Sequence, residues 1–219
     1  DGSADEGLPP VPSLSSILRP YQRRGHAWLT ARLSGGIGGI LADDMGLGKT
    51  VQILSAVAAL RAHTPAGDAS PVVVVAPTSV VGVWLEQART FTPHLRVRAV
   101  TETATRRGTT IRQEVADADI VVTSYTLARL EAEQWNQVHL GGVVIDEAQA
   151  VKNPRTATYR ALRDLESPWK LAVSGTPIEN SLGDLWSLLS LTCPGLLPPW
   201  ETFQQQVRRP IENGADSAM

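Results

Sequence analysis

A lysine and a threonine at positions 49 and 50 stand directly behind glycines at 46 and 48, in the stretch DDMGLGKTVQIL that runs from residue 43 to residue 54. These are residue types that hold phosphate. Gly46 and Gly48 let backbone N–H groups turn inward, Lys49 can neutralise a β/γ-phosphate, and Thr50 can offer its hydroxyl to Mg²⁺ at a helix N-terminus. A nucleoside triphosphate is the ligand such a nest suits. The strict pattern G-x-x-x-x-G-K-[ST] is missed in one place, since Asp43 occupies the first glycine position. A Gly-rich strand-to-helix turn with no ligand is the alternative for this loop taken alone.

A second acidic motif lies far downstream. In VVIDEAQ, Asp146 ends an apolar strand, so its carboxylate is placed to hold Mg²⁺, while Glu147 can orient or deprotonate an attacking water. Two adjacent carboxylates then serve different roles. An ordinary Asp-Glu pair capping a helix is the alternative for the tetrapeptide by itself, but its position at a strand end, several strands after Lys49, argues for a shared site.

The elements that must position these groups are legible in the chain. Short β-branched runs, GGIL, VVVVA (72–76), LRVRAV, DIVVTSY, GGVVIDEA and WKLAVSG, alternate with helix-compatible stretches. About six strands alternating with helices is the signature of a doubly wound α/β fold with a mostly parallel sheet. VVVVA and VVI are apolar on both faces, as central parallel strands must be. KTVQILSAVAALRA carries Val51, Leu54 and Val57 or Ala58 on one stripe, and SLGDLWSLLSL begins with Ser181 and Asp184 in a capping-box arrangement. In such sheets functional groups gather at the carboxyl ends of the strands, and the motifs sit there: ADDMGLGKT after GGIL, PTS after VVVVA, TSYT after DIV, DEAQ after VVI and SGTP after KLAV.

Composition limits the partners. The 219 residues suit one domain with a sizeable core, and the acidic, Pro-rich start (residues 1–13) reads as a flexible arm, not a signal peptide. No stretch is long and apolar enough to span a bilayer. The one cysteine, Cys193, excludes an internal disulfide framework and suits a reducing cytosol. His26, His63, His94 and His139 are scattered without cysteine partners, which argues against a structural metal site. A net charge of -2 argues against bulk electrostatic coating of nucleic acid, so any such contact is local. Of the basic residues only Lys49, Lys152 and Lys170 are lysines, a bias that suits a GC-rich bacterial genome.

The segments LRPYQRRGHAWL, LADDMGLGKTVQ, APTSVVGVWLEQ, DIVVTSYTLAR, VVIDEAQAVKNP and LAVSGTPIENSLGDLWSLLSLTCPGLL occur in order. Together they resemble the first-lobe motifs of the Swi/Snf-type, helicase-like, DNA-translocating ATPases of superfamily two, and the closing FQQQVRRPIENG resembles the segment that ends that lobe. The resemblance runs from Leu14 to Gly214, leaving 215–219 as a tail. It implies a RecA-like P-loop fold, three layers αβα, and ATP with Mg²⁺ as cofactors. It further implies that Arg19 and Gln22 meet the nucleotide, the Gln22 amide reading adenine because it can accept from N6 and donate to N7. The loop Asp43, Asp44, Met45, Gly46, Leu47, Gly48, Lys49 and Thr50 would cradle the phosphates, with Thr50 and Asp146 on the metal and Lys49, Asp146 and Glu147 catalytic.

By the same resemblance Pro77, Thr78 and Ser79, then Thr123, Ser124 and Tyr125, hold one DNA strand through backbone N–H and hydroxyl contacts to phosphate. Helix N-capping is their alternative, and both can hold together. Lys152 and Asn153 would approach DNA, with a solvated patch as the alternative. Gln149, Ser174, Gly175 and Thr176 would couple nucleotide state to DNA grip, Ser174 and Thr176 through hydrogen bonds to Asp146 or Gln149. Trp84, Trp186 and Trp200 read as core or interlobe anchors, not base-stacking platforms. Two departures from the pattern stand out: Asp44 replaces a more usual glutamate, and DEAQ replaces the commoner ending in histidine.

The resemblance implies a second RecA-like lobe in the same polypeptide, carrying the arginines that meet charge on the transferred phosphoryl. No such lobe follows residue 214, so the chain reads as lobe one of a larger machine. Its expected function is the ATP-binding lobe of a double-stranded DNA translocase that remodels protein–DNA or polymerase complexes, in the bacterial cytoplasm at the nucleoid, with RNA polymerase or another DNA-bound protein as partner. A docking module that has lost hydrolysis is the alternative, against which Lys49, Asp146 and Glu147 weigh. A small-molecule kinase finds no support in SGTPIEN or RPYQ.

Overall fold

The computed structural model describes residues 7–65, 70–177 and 182–212. Six strands, β1 (Gly39–Leu41), β2 (Val72–Ala76), β3 (Val97–Val100), β4 (Ile120–Ser124), β5 (Gly142–Ile145) and β6 (Lys170–Val173), form one sheet in the order β1-β6-β5-β2-β4-β3. Every pairing is parallel. The helices are α1 (Pro12–Ser15), α2 (Pro20–Ser34), α3 (Lys49–His63), α4 (Thr78–Phe91), α5 (Ala104–Arg107), α6 (Ile111–Val115), α7 (Tyr125–Leu130), α8 (Ala132–Trp135), α9 (Ala157–Asp164), α10 (Leu182–Thr192), α11 (Trp200–Phe203) and α12 (Arg209–Glu212). A 3₁₀ turn covers Ala148–Val151 and a π turn Gln204–Arg208. None of the described helices is long and apolar enough to cross a membrane.

The period-two alternation of strand side chains divides the core between the two faces of the sheet. Val73, Val75, Val121, Val143 and Ile145 pack with Trp135, Tyr159, Leu162 and Leu188 on one side. Val72, Val74, Ile120, Val122 and Val144 pack with Leu29, Ile53, Leu54 and Trp84 on the other. β2, β4 and β5 are buried on both faces along their whole length, which is why they are rich in Val and Ile. The three-layer α/β architecture and the six strands are as the sequence implies.

Three expectations are refined. First, α3 has no single buried stripe: every residue from Val51 to Ala59 is buried, because α2 covers the side that the sheet does not. Second, the arm assigned to residues 1–13 does not reach that far. His26 Nε2 donates to the carbonyl of Leu8 across 2.8 Å, and Leu14 in α1 is fully buried, so the chain is packed from the start of the described residues. Third, α10 starts at Leu182, and Ser181 of the expected capping box lies outside the described residues, as do residues 178–180 of the SGTPIEN segment, residues 213 and 214 of FQQQVRRPIENG and the tail 215–219.

An all-parallel sheet has all its carboxyl ends on one edge. Along that edge the order of strands sets the order of motifs: the loop 42–48 after β1, Ser174 after β6, Asp146 after β5, Pro77 after β2 and Ser124 at the end of β4. The phosphate and acidic motifs therefore occupy one half of the edge, and the segments expected to hold DNA occupy the other.

Candidate active site

The loop between β1 and α3 turns through two glycines in left-handed conformation, Gly46 (φ 83) and Gly48 (φ 72), a region that costs a side-chain-bearing residue about 1–2 kcal/mol. A Cβ added at Gly46 would meet nothing within 4 Å, so the loop is open above that residue. Gly48 instead lies against α2, where an added Cβ would stand 2.5 Å from Gln22 Nε2. Lys49 is the first residue of α3, and its ammonium donates to the carbonyls of Asp43 at 2.7 Å and Asp44 at 3.0 Å, closing the loop on itself. Thr50 follows in the first helical turn.

Two buried amides hold this loop from behind. Gln22 Nε2 donates to the carbonyl of Leu47 at 3.2 Å, and Gln22 Oε1 accepts from the N–H of Arg19, whose own side chain is exposed. Gln52, fully buried on α3, donates to the Asp43 carboxylate at 2.9 Å. Asp44 and Met45 are exposed at the tip. Beside the loop a cleft of about 630 Å³ opens between α2 and β1, walled by Tyr21, Arg24, Trp28, Asp43 and Leu47. Gln22 is thus held against the loop. Gln52 was not singled out from sequence, because its role depends on the loop folding back over α3.

At the end of β5 the Asp146 carboxylate is almost completely buried. Oδ2 accepts from the indole N–H of Trp84 at 2.8 Å, and Oδ1 accepts from the backbone N–H of Glu147 at 3.0 Å. Burial pushes its pKa up; the Trp84 and Glu147 hydrogen bonds and the Lys49 charge pull the other way, and the Glu147 carboxylate adds to the rise. Tyr125 donates its hydroxyl to the Asp146 carbonyl at 2.5 Å, with the Glu147 carbonyl 3.4 Å away. Burial beside Asp146 and Glu147 pushes that phenol far up, which keeps it a donor.

Glu147 has φ 50 and ψ 52, the one positive-φ residue other than glycine among the described residues. Such strain costs on the order of 1 kcal/mol and is typical of functional turns. Its Oε2 accepts from Gln149 Nε2 at 2.5 Å; Gln149 Oε1 accepts from Ser174 Oγ at 2.9 Å; and Ser174 Oγ accepts from the N–H of Thr176 at 3.1 Å. Of the two partners considered for Ser174, Gln149 is the one it bonds. Gly175 packs near Met45, since a Cβ there would be 3.1 Å from Met45 Cγ, so the two loops touch.

The segments expected to meet DNA divide. Thr78 and Ser79 are exposed at the start of α4, and Pro77 is half-buried before them. Ser124 accepts from the N–H of Leu127 and caps α7, while Thr126 is exposed beside it. Thr123 corrects the sequence reading: it is fully buried and donates to the Val100 carbonyl at 3.0 Å, because its register in β4 points the hydroxyl at β3 and away from solvent. Lys152 is a second correction. Its ammonium donates to the Thr176 carbonyl at 3.0 Å and pairs with Asp184 at 3.3 Å, so it ties the 3₁₀ turn to α10 instead of offering charge to a phosphate. Asn153 is exposed, its Oδ1 accepting from the N–H of Arg155. Trp186 and Trp200 pack edge to face with centroids 5.2 Å apart, as anchors do.

Residues 21–219 match the family model described as the SNF2-related domain. Among curated proteins the chain is 37% identical over 217 residues to a putative ATP-dependent helicase/translocase, YwqA, of Bacillus subtilis, and 35% identical over 217 residues to the TATA-binding protein-associated factor mot1 of Schizosaccharomyces pombe. These alignments cover 98% and 95% of the chain but only 23% and 11% of the two relatives. Among solved structures, the Sulfolobus solfataricus SWI2/SNF2 ATPase core in complex with dsDNA superposes with a TM-score of 0.79 at 36% identity, over 90% of this chain and 40% of that one. The same core solved as the ATPase core domain gives 0.77 at 36% identity, over 90% and 39%. With the motifs on one sheet edge and this degree of likeness, the chain belongs to the SNF2-related domain family and has the RecA-like fold of a SWI2/SNF2 ATPase core.

Proposed function

We propose that this chain is the ATP-binding lobe, residues 14–214, of an ATP-dependent double-stranded DNA translocase that remodels protein–DNA complexes. The observation that carries the reading is the adjacency of β1, β6 and β5, which sets the Lys49 loop, Ser174 and the Asp146–Glu147 pair next to one another at one sheet edge. Lys49 and the loop N–H groups bind the β- and γ-phosphates, and Gln22 with the neighbouring cleft receives the base. A hydroxyl at Thr50 and a carboxylate at Asp146 are hard oxygen donors, the set Mg²⁺ prefers. Bound there, the ion would neutralise phosphate charge. Glu147, aimed by Gln149, orients the attacking water and takes its proton.

DNA contact falls to Pro77, Thr78 and Ser79, to the α7 start at Ser124 and Tyr125, and to Asn153, with backbone N–H groups doing the work that Thr123 and Lys152 cannot. A second lobe of the same polypeptide completes the ATP site and closes on DNA, in the bacterial cytoplasm at the nucleoid. The remodelled partner is a DNA-bound protein such as RNA polymerase. The relatives support this class: one is named a helicase/translocase, one a TATA-binding protein-associated factor, and one solved neighbour holds dsDNA.

Titration calorimetry of ATP with Mg²⁺ against the chain and against Lys49→Ala tests the core of the reading. Binding that disappears in the variant supports it. Equal heats would overturn the phosphate-loop assignment.

A further inference from the structure

Asp146 is gripped from three neighbouring elements. Its N–H donates to the Val75 carbonyl of β2 at 2.8 Å, its carbonyl accepts from Tyr125 of α7, and its carboxylate accepts from Trp84 of α4. The last two elements are the helices that begin at the exposed Thr78 and Ser79 and at the half-buried Tyr125 with exposed Thr126 beside it. Trp84 lies six residues beyond Thr78, less than two turns into α4, and Tyr125 is the first residue of α7.

We propose that Trp84 and Tyr125 are positioning residues that transmit DNA contact to Asp146: a phosphate held at the start of α4 or α7 shifts the helix, and the shift moves the donor that fixes the Asp146 carboxylate or carbonyl. The inference rests on the reading of these helix starts as DNA-facing and of Asp146 as a metal ligand. The indole is only 1% exposed, so packing alone would justify an apolar ring there. What packing does not require is its one polar atom on Asp146 Oδ2. A buried indole N–H generally takes an acceptor, and this one uses the carboxylate that the chemistry needs. With Oδ1 held by Glu147 N–H and Oδ2 by Trp84, each oxygen keeps a lone pair for a ligand while the rotamer is fixed from two sides. An α-helix is stiff over this length, and hydrogen bonds weaken steeply once stretched or bent. A displacement at Thr78 or Ser79 is carried along α4 to the Trp84–Asp146 hydrogen bond, and Tyr125 adds a parallel route into the Asp146 backbone.

The test uses the full-length protein that contains this chain, with variants Trp84→Phe, Tyr125→Phe and, as a control on the DNA surface, Thr78→Glu. Three quantities are read: the ratio of ATP hydrolysis with and without a short DNA duplex, the duplex Kd by fluorescence anisotropy, and the ¹⁹F resonance of Trp84 in 5-fluorotryptophan-labelled protein when duplex is added without nucleotide. Trp84→Phe is expected to lower the stimulation ratio about tenfold while the duplex Kd stays within about threefold, and Tyr125→Phe to lower the ratio measured at saturating duplex. The Trp84 resonance is expected to move on duplex addition. An unchanged ratio in both variants, or a Trp84 resonance indifferent to bound duplex, overturns the proposal. A duplex Kd unchanged by Thr78→Glu would count instead against the DNA-facing reading of α4. If Trp84→Phe does not fold, Tyr125→Phe decides, since it removes a single oxygen from a half-buried residue.

Discussion

The hydroxyl of Ser174 donates to Oε1 of Gln149 across 2.9 Å, and the NH₂ of the same amide donates to the Glu147 carboxylate. A loop at the end of β6 thereby sets the direction of the group assigned to the attacking water, through one side chain. Gln149→Ala is expected to lower kcat about tenfold while nucleotide affinity changes little, because the carboxylate stays in place but loses its orientation. Ser174→Ala should do less, and the double variant should resemble Gln149→Ala alone. Steady-state kinetics of the three proteins in the full-length context checks this; additive losses would show that the two residues act separately.

Glu147 gives a prediction that separates stability from chemistry. Glu147→Gln should bind nucleotide with lower turnover by orders of magnitude. Glu147→Gly should also lose turnover, yet relief of the left-handed strain, worth about 1 kcal/mol, offsets the chain entropy that glycine adds, so its melting temperature should stay close to that of the parent. A large drop in Tm for the glycine variant would mean that the φ of 50 is not a cost at this position.

A tight crossing of α2 and α3 supports the phosphate loop. A Cβ on Gly25 would stand 1.8 Å from Gln52 Oε1, and the same amide holds Asp43. Gly25→Ala is therefore expected to destabilise by about 1–3 kcal/mol and to weaken nucleotide binding. Adding Gln52→Ala removes the clash, so the double variant should lose less stability than the two single costs predict. Denaturant unfolding of the four proteins closes the cycle, and strict additivity would show that the helices do not meet there.

His26 makes stability depend on pH. It is buried between the Leu8 carbonyl and Ser55 Oγ, at 2.8 and 2.9 Å, and burial holds its pKa below the ordinary 6.5. As pH falls past that value the unfolded chain takes up a proton that the folded chain refuses. The contribution of His26 is thus intact above about 6.5 and is lost on acidification, by up to about 1.4 kcal/mol per pH unit. His26→Gln should flatten this slope in Tm measured between neutral and mildly acidic pH. An unchanged slope would assign it to another group.

The strands were legible because a parallel sheet covered on both faces leaves runs rich in Val and Ile, and the phosphate loop because glycine, lysine and threonine must fall at fixed spacing. The ends were less so: LRVRAV shortens to Val97–Val100 at the sheet edge, where there is one neighbour to define it. What escaped the sequence was pairing at long range. Nothing in the spacing joins Trp84 to Asp146 or Lys152 to Asp184, since each depends on how an α-helix docks after the sheet is formed. Thr123 is an intermediate case. Its period-two partner Val121 faces the core, and that alternation runs against placing its hydroxyl in solvent.

The place of β1 in the sheet governs the order in which the lobe can be built. β1 lies at the edge and pairs with β6 alone, Leu41 against Val173, so the first of the six described strands to leave the ribosome waits for the sixth. A ribosome takes on the order of ten seconds to cover that interval, during which β2, β4 and β5 can already join. Nucleotide therefore has no finished loop to bind on a growing chain until β6 has emerged, and nascent chains halted before Lys170 should be unable to retain it while longer ones can.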